Sequence, residues 1–281
     1  MESLAILSHK GGVGKTSIAV NLAVYLTRCG KNVCLMDSDF HGPSILTFFE
    51  PNPATSWINA YLKGESPLES CLQEVGSDLG LSSKLFVAFA DPTSEAIRDV
   101  LQLDENMAIK MLHFLMTMKN ALKGPPYEVD YLIIDSSPGV GLFTVNLMVA
   151  SEVILFVVKL NNADLVGASY MIAGLQKQLT NRALLIANQI PLKFFNNQQK
   201  KKDFQYLIET LFEKRLGNKI VEFLGWIPND TDLMIDEFEI AIKNLKGSPI
   251  KRTIHSLEKP NHIISEIIEE ITGQIFGDPI K

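Results

Sequence analysis

The sequence predicts a doubly wound α/β fold: a mostly parallel sheet with helices on both faces. Three observations carry that expectation. Apolar runs of strand length recur along the chain, and they are near-continuously hydrophobic, as parallel strands covered on both faces are. Segments with apolar residues at three-and-four spacing fill the intervals between them. The first run leads directly into a glycine-rich stretch that opens a helix. A chain of 281 residues, 46% hydrophobic and 21% charged, is globular and long enough for one large core, so residues 1–281 are read as a single domain.

Taken in order, Leu4–Leu7 is the first strand, and a helical pattern runs from Ile18 to Cys29, where Gly30 can close it in a left-handed conformation. Strands follow at Asn32–Met36 and Leu85–Phe89. A helix is expected over Asp104–Leu122, then a turn at Gly124-Pro125-Pro126 and a strand at Tyr131–Ile134. Val140–Val158 is apolar enough to pass for a membrane span, but it holds Asn146, Ser151 and Glu152, and its end reads as a strand, Val153–Val158. Ala163–Leu179 reads as a helix, Ala183–Ala187 and Ile220–Leu224 as strands, and Asn196–Lys202 as polar surface. In the last segment, Asn261–Phe276, a good apolar stripe faces an acidic polar side, which reads as a helix packed on the core.

Residues Ser8–Ser17, S-H-K-G-G-V-G-K-T-S, carry the most chemistry. Gly11, Gly12 and Gly14 permit backbone angles closed to other residues, so successive N–H groups around Val13 can converge on one anion. Lys15 would reach the β- and γ-phosphates and the Thr16 hydroxyl would ligate Mg²⁺, with Ser17 following in the first helical turn. The ordinary motif has glycine where His9 stands, and an extra lysine, Lys10, opens the loop; by itself it could equally be a surface lysine. Two further strands end in carboxylates. Met36 is followed by Asp37-Ser38-Asp39, which beside bound Mg·ATP could hold metal-bound water, or could simply cap a turn. Ile134 is followed by Asp135-Ser136-Ser137-Pro138-Gly139, the arrangement that holds Mg²⁺ through water.

The loop resembles the deviant Walker A motif of the MinD/ParA ATPases, a group that includes the Mrp-type carriers. The resemblance implies that Lys10 crosses a dimer interface to the partner's nucleotide, that Asp39 orients the attacking water, and that Asp37 lies in the outer shell of the magnesium. It further implies that Gly139 places its N–H on the γ-phosphate, although the family usually reads D-[TS]-P-P-G and Ser137 departs from that. Asn188, after the strand Leu184–Ala187, falls where the family reads adenine, and a side-chain amide both donates and accepts. Gly225-Trp226-Ile227-Pro228-Asn229-Asp230 is similar to the segment that covers the base, which assigns Pro228 and Asp230 to the nucleotide. Gly247-Ser248-Pro249-Ile250 and Trp57–Leu72 extend the likeness over most of the chain.

The expectation is therefore a P-loop ATPase using ATP and Mg²⁺, homodimeric when ATP is bound, acting as a spatial-positioning switch. Gly42-Pro43-Ser44 looks like the Mrp-type iron–sulfur carriers and keeps that alternative open, although no C-x-x-C is present. A metabolic ATP-dependent ligase of the dethiobiotin synthetase type shares the fold. Three scattered cysteines and five dispersed histidines give no disulfide framework or metal spacing, and a cytoplasmic location is expected. No signal peptide fits, because the first apolar residues are needed as a strand. The net charge of −6 and the acidic face of the last helix make a membrane unlikely and DNA weak or absent; a protein partner or scaffold is expected. Lys200–Lys202 with Lys251 and Arg252 could still form a composite basic patch.

Overall fold

The chain is analysed as a computed structural model that describes residues 1–175, 181–216, 221–246 and 251–277. The elements run β1 (Glu2–Leu7), α1 (Lys15–Arg28), β2 (Val33–Ser38), a 3₁₀ turn (Ile45–Thr47), α2 (Ile58–Leu62), α3 (Leu68–Cys71), β3 (Gln73–Glu74), β4 (Leu85–Ala88), α4 (Ser94–Leu101) and α5 (Glu105–Lys123). They continue with β5 (Tyr131–Ser136), α6 (Leu142–Ala150), β6 (Val153–Lys159), α7 (Asn162–Gly174), β7 (Arg182–Pro191), α8 (Leu192–Phe195), α9 (Gln198–Leu216), β8 (Glu222–Asn229), α10 (Thr231–Leu245), α11 (His255–Glu258) and α12 (Ile263–Phe276).

The sheet has eight strands in the order β3-β4-β2-β5-β1-β6-β7-β8. Every pairing is parallel except β3 with β4. Alternate residues of each strand feed opposite faces. Ala5 and Leu7 join a core with α5, α6, α7 and α9, whereas Leu4 and Ile6 join one with α1 and α12. Burial on both sides is why the strands read as unbroken apolar runs.

Several boundaries differ from expectation, and most differ at the strand ends where the chemistry sits. β2 and β5 continue past the apolar run through Asp37-Ser38 and Asp135-Ser136, which pair in register. β7 extends to Pro191 with register shifts against β8. The two-residue edge strand β3 was not expected, because Gln73-Glu74 carries no hydrophobic signal. Asp104 caps α5 by accepting from the Met107 N–H at 2.8 Å. Gly30 ends α1 at φ 83°, as expected. The expected end of the helix over 163–179 and Ile220 lie outside the described residues.

α12 lies against α1, with Ile264, Ile268, Ile271 and Ile275 buried in the same core. Its apolar stripe is thus taken up internally, which bears out a core-packing helix. No helix among the described residues is long and apolar enough to cross a membrane; the Val140–Val158 stretch divides into α6 and β6.

Candidate functional site

The ten residues from Ser8 to Ser17 bridge the carboxyl end of β1 and the first turn of α1, near the centre of the sheet. Gly12 and Gly14 take φ 70° and 95°, angles that a side chain would strain. Gly14 is the N-cap and offers no side chain, so the first N–H groups of α1 are left for an anion at the positive end of the helix dipole. A Cβ on Gly14 would sit 2.3 Å from Asn188 Nδ2. This close approach lets Asn188 donate to the Val13 carbonyl at 2.7 Å, while Gln189 Nε2 donates to the Gly12 carbonyl at 3.2 Å. The end of β7 therefore braces the loop from behind.

Lys15 is almost wholly buried, and burial lowers its pKa, partly offset by Asp135 and Asp39. Asp37 and Asp135 are register neighbours on β2 and β5, both shut away from solvent. Their situations differ. Asp37 accepts backbone N–H groups from Asp39 (3.0 Å), Ser44 (3.2 Å) and Ile45 (3.1 Å), so its oxygens shape the turn after β2. Burial, with Asp135 next, still pushes its pKa up. Both Asp135 oxygens are buried, and among the described residues no group stands at hydrogen-bonding geometry to them, the Thr16 hydroxyl being nearby. Burial raises that carboxyl to about 7, although Thr16 and Lys15 pull it down. A buried carboxylate with no partner is costly, and a cation is the natural remedy.

A magnesium ion fits this donor set. Asp135 would hold it through water, Thr16 through its hydroxyl, and Asp37 from farther out, already occupied by the chain. The Thr16 hydroxyl here pairs with Ser44 Oγ at 2.8 Å, which links the loop to the segment after β2.

Asp39 is half-buried and its Oδ1 accepts from Ser137 Oγ at 2.9 Å and from the Gly42 N–H at 3.2 Å. Ser137 thus occupies its unusual position as a donor to Asp39, with His41 Nδ1 3.3 Å from the same hydroxyl. Gly139 takes φ 83°, and its N–H donates to the Ser8 carbonyl at 2.8 Å, so in this conformation it is tied to the loop. Lys10 is exposed, and its carbonyl accepts from Ser8 Oγ at 2.7 Å. The His9 ring fits against Gly167 on α7, where a Cβ would come within 2.3 Å of it.

Beside the loop opens a cavity of about 180 Å³. Gly14, Ser17, Ile18 and Asn21 form one wall, a single face of α1, and Phe48, Ile227, Ile264 and Ile268 supply apolar surface. Asn188, Pro228 and Asp230 all line it, so the three residues assigned to the base are brought together. Asn188 Oδ1 also accepts from the Gln189 N–H at 2.8 Å, so the chain uses both ends of its amide and part of its capacity remains for a ligand. Asp230 Oδ2 lies 2.9 Å from His262 Nε2.

Two lining residues with titratable side chains, His255 and Arg252, were not assigned to a nucleotide in the sequence. His255 is buried, and burial together with His262 pushes its imidazole down to about 4. Arg252 was grouped with a basic surface patch, but it lines the cavity instead. Its neighbour Lys251 lies 3.6 Å from Glu50. Gly247–Ile250 lies outside the described residues.

Comparison with known proteins agrees with this geometry. A family model described as an AAA domain matches residues 1–188. The sporulation initiation inhibitor protein Soj of Bacillus subtilis (strain 168) is 29% identical over 171 residues, 60% of this chain and 62% of that protein. The chain belongs to the MinD/ParA family of P-loop ATPases. Within that MinD/ParA group it is also similar to the iron–sulfur cluster carrier protein of Aquifex aeolicus (strain VF5), 29% identical over 251 residues, 88% of this chain and 61% of that one. The match spans less than two thirds of the length of either relative. The fold is that of the septum site-determining protein MinD of Pyrococcus horikoshii OT3, solved with Mg-ADP, at a TM-score of 0.66 and 18% identity, covering 98% of this chain and 96% of the other.

Proposed function

We propose that this chain is a magnesium-dependent ATP hydrolase that dimerises on ATP and serves as a spatial-positioning switch. The observation that supports the reading is the buried cation–carboxylate set at the loop: Lys15, whose pKa burial lowers and Asp135 and Asp39 raise, together with the buried Asp135 carboxyl. Gly11 through Ser17 hold the phosphates by their N–H groups, and Lys15 neutralises charge on the transferring phosphoryl group. Asp135, through water, and the Thr16 hydroxyl would hold a magnesium ion, which would supply positive charge against the phosphates. Asp39, held by Ser137 and the Gly42 N–H, orients the attacking water. Lys10, exposed at the mouth of the loop, reaches the phosphates of a second subunit, so nucleotide bridges the dimer and hydrolysis releases it. Gly139 exchanges its bond with Ser8 for the γ-phosphate as that state forms.

The positioning role rests on membership of the family and on the septum site-determining MinD that shares the fold. We place the protein in the cytoplasm, with a protein partner or scaffold as its surface. The apolar side of α12 is committed to the core, its polar side is acidic, and the net charge of −6 opposes anionic surfaces. Phosphate release from ATP, with and without magnesium, tests the reading; turnover that requires magnesium and vanishes in Lys15→Ala supports it. Equal turnover in Lys15→Ala and wild type overturns it.

A second reading, an iron–sulfur or metal carrier, is favoured by Gly42-Pro43-Ser44 and by the Aquifex relative. Against it, Cys34 and Cys71 are buried and the three cysteines form no C-x-x-C. Anaerobic reconstitution with iron and sulfide separates the two: visible absorption at stoichiometric iron would favour the carrier.

A further inference from the structure

We infer that Arg252 is a nucleotide-contacting residue, its guanidinium taking the phosphate attached to the ribose. The inference rests on the reading of the cavity as an ATP site. Among the described residues Arg252 is the only lysine or arginine lining that cavity. It lies 235 residues along the chain from Ser17, and Nη2 donates to Ser17 Oγ at 3.2 Å. On its other side the guanidinium lies 4.4 Å from the centre of the Phe48 ring. Its own N–H donates to the Thr47 carbonyl at 3.0 Å. Backbone and side chain are thereby fixed, so little rotamer freedom remains to be lost when an anion binds.

The location selects which phosphate is read. Gly14, Ser17, Ile18 and Asn21 recur at helical spacing, so the cavity runs along α1 from the loop inwards. Lys15 and the glycines serve the outer phosphates at the loop end. Ile227, Ile264 and Ile268 give the cavity apolar surface suited to a base. Ser17 is two residues beyond Lys15 and lines the same cavity as the residues assigned to the base, and the guanidinium is bonded to it. A cation there matches the phosphate that joins sugar to chain. The carboxylate lining the cavity, Asp230, lies 2.9 Å from His262 Nε2. Contact through Phe48 and Thr47 also ties the nucleotide to the turn that carries Ser44 and, through it, Thr16.

Titration calorimetry with ADP, AMP and adenosine tests the assignment on wild type, Arg252→Gln and Arg252→Lys, with thermal unfolding without nucleotide as the check on folding. Loss of a charge-assisted hydrogen bond predicts ADP and AMP binding weaker by about ten- to a hundred-fold in Arg252→Gln. Arg252→Lys should recover part of it, and adenosine should bind all three proteins equally. Unchanged ADP affinity in a folded Arg252→Gln would overturn the inference, as would an equal loss for adenosine, which would move Arg252 to the base. Failure of wild type to bind ADP would instead remove the nucleotide reading on which the inference stands.

Discussion

Gly14→Ala puts the bracing of the phosphate loop to a direct test. Gly14 sits at φ 95°, where a side chain costs roughly 1–2 kcal/mol. The new methyl would also lie 2.3 Å from Asn188 Nδ2, so the amide must move off the Val13 carbonyl that it now holds at 2.7 Å. Separating those buried groups costs about 1–3 kcal/mol, for a total of about 2–5 kcal/mol. Denaturant unfolding of Gly14→Ala, Asn188→Ala and the double variant measures both parts. Because the clash and the hydrogen bond share one partner, the double variant should be less destabilised than the sum by about 1 kcal/mol or more. ADP binding should fall in Gly14→Ala whether or not the global stability recovers. A Gly14→Ala protein within about 0.5 kcal/mol of wild type that binds ADP normally would refute the reasoning.

Asp39→Ala should keep ATP binding while phosphate release slows by two orders of magnitude or more (about 10²-fold), since only water orientation is lost. Ser137→Ala should fall between, because the Gly42 N–H still holds Asp39; single-turnover phosphate release reads both. His255 gives a pH dependence of stability. Its folded pKa, about 4, lies below the unfolded value near 6.5, so its contribution is complete above pH 6.5 and is lost as pH falls towards 4. The loss should approach about 3 kcal/mol, and a His255→Gln protein should show a flatter profile in that window by denaturant unfolding. With ATP, the protein should not sediment with anionic liposomes, and any DNA binding should be weak and steeply salt-dependent; tight liposome binding at physiological salt would restore a membrane reading.

The fold was legible because its signals are local. A strand buried on both faces is an apolar run, and a glycine that ends a helix at positive φ stands where the spacing stops, as Gly30 does. The phosphate loop was legible for the same reason, its roles being packed into ten residues. What escaped is non-local or polar. Arg252 and Ser17 are 235 residues apart, and nothing near either announces the contact. Ser137 read as a departure from a family pattern, and only the juxtaposition of β2 and β5 makes it a donor to Asp39. Asp37 and Asp135 both follow apolar strands in the sequence, Asp135 read as the carboxylate near magnesium and Asp37 as an outer-shell or turn residue. What sets Asp37 apart, three backbone N–H groups on its carboxylate, depends on the turn that folds back over β2. The strand ends were read short because polar residues continue the ladder there.

The central claim is that nucleotide bridges two subunits through Lys10. Light scattering of Asp39→Ala with magnesium and either ATP or ADP tests it, beside the Lys10→Ala, Asp39→Ala double variant. The account predicts a dimer of Asp39→Ala with ATP and a monomer with ADP. It predicts a double variant that binds ATP yet remains monomeric. A double variant that dimerises as fully as Asp39→Ala would contradict it, as would an Asp39→Ala protein that stays monomeric with ATP bound.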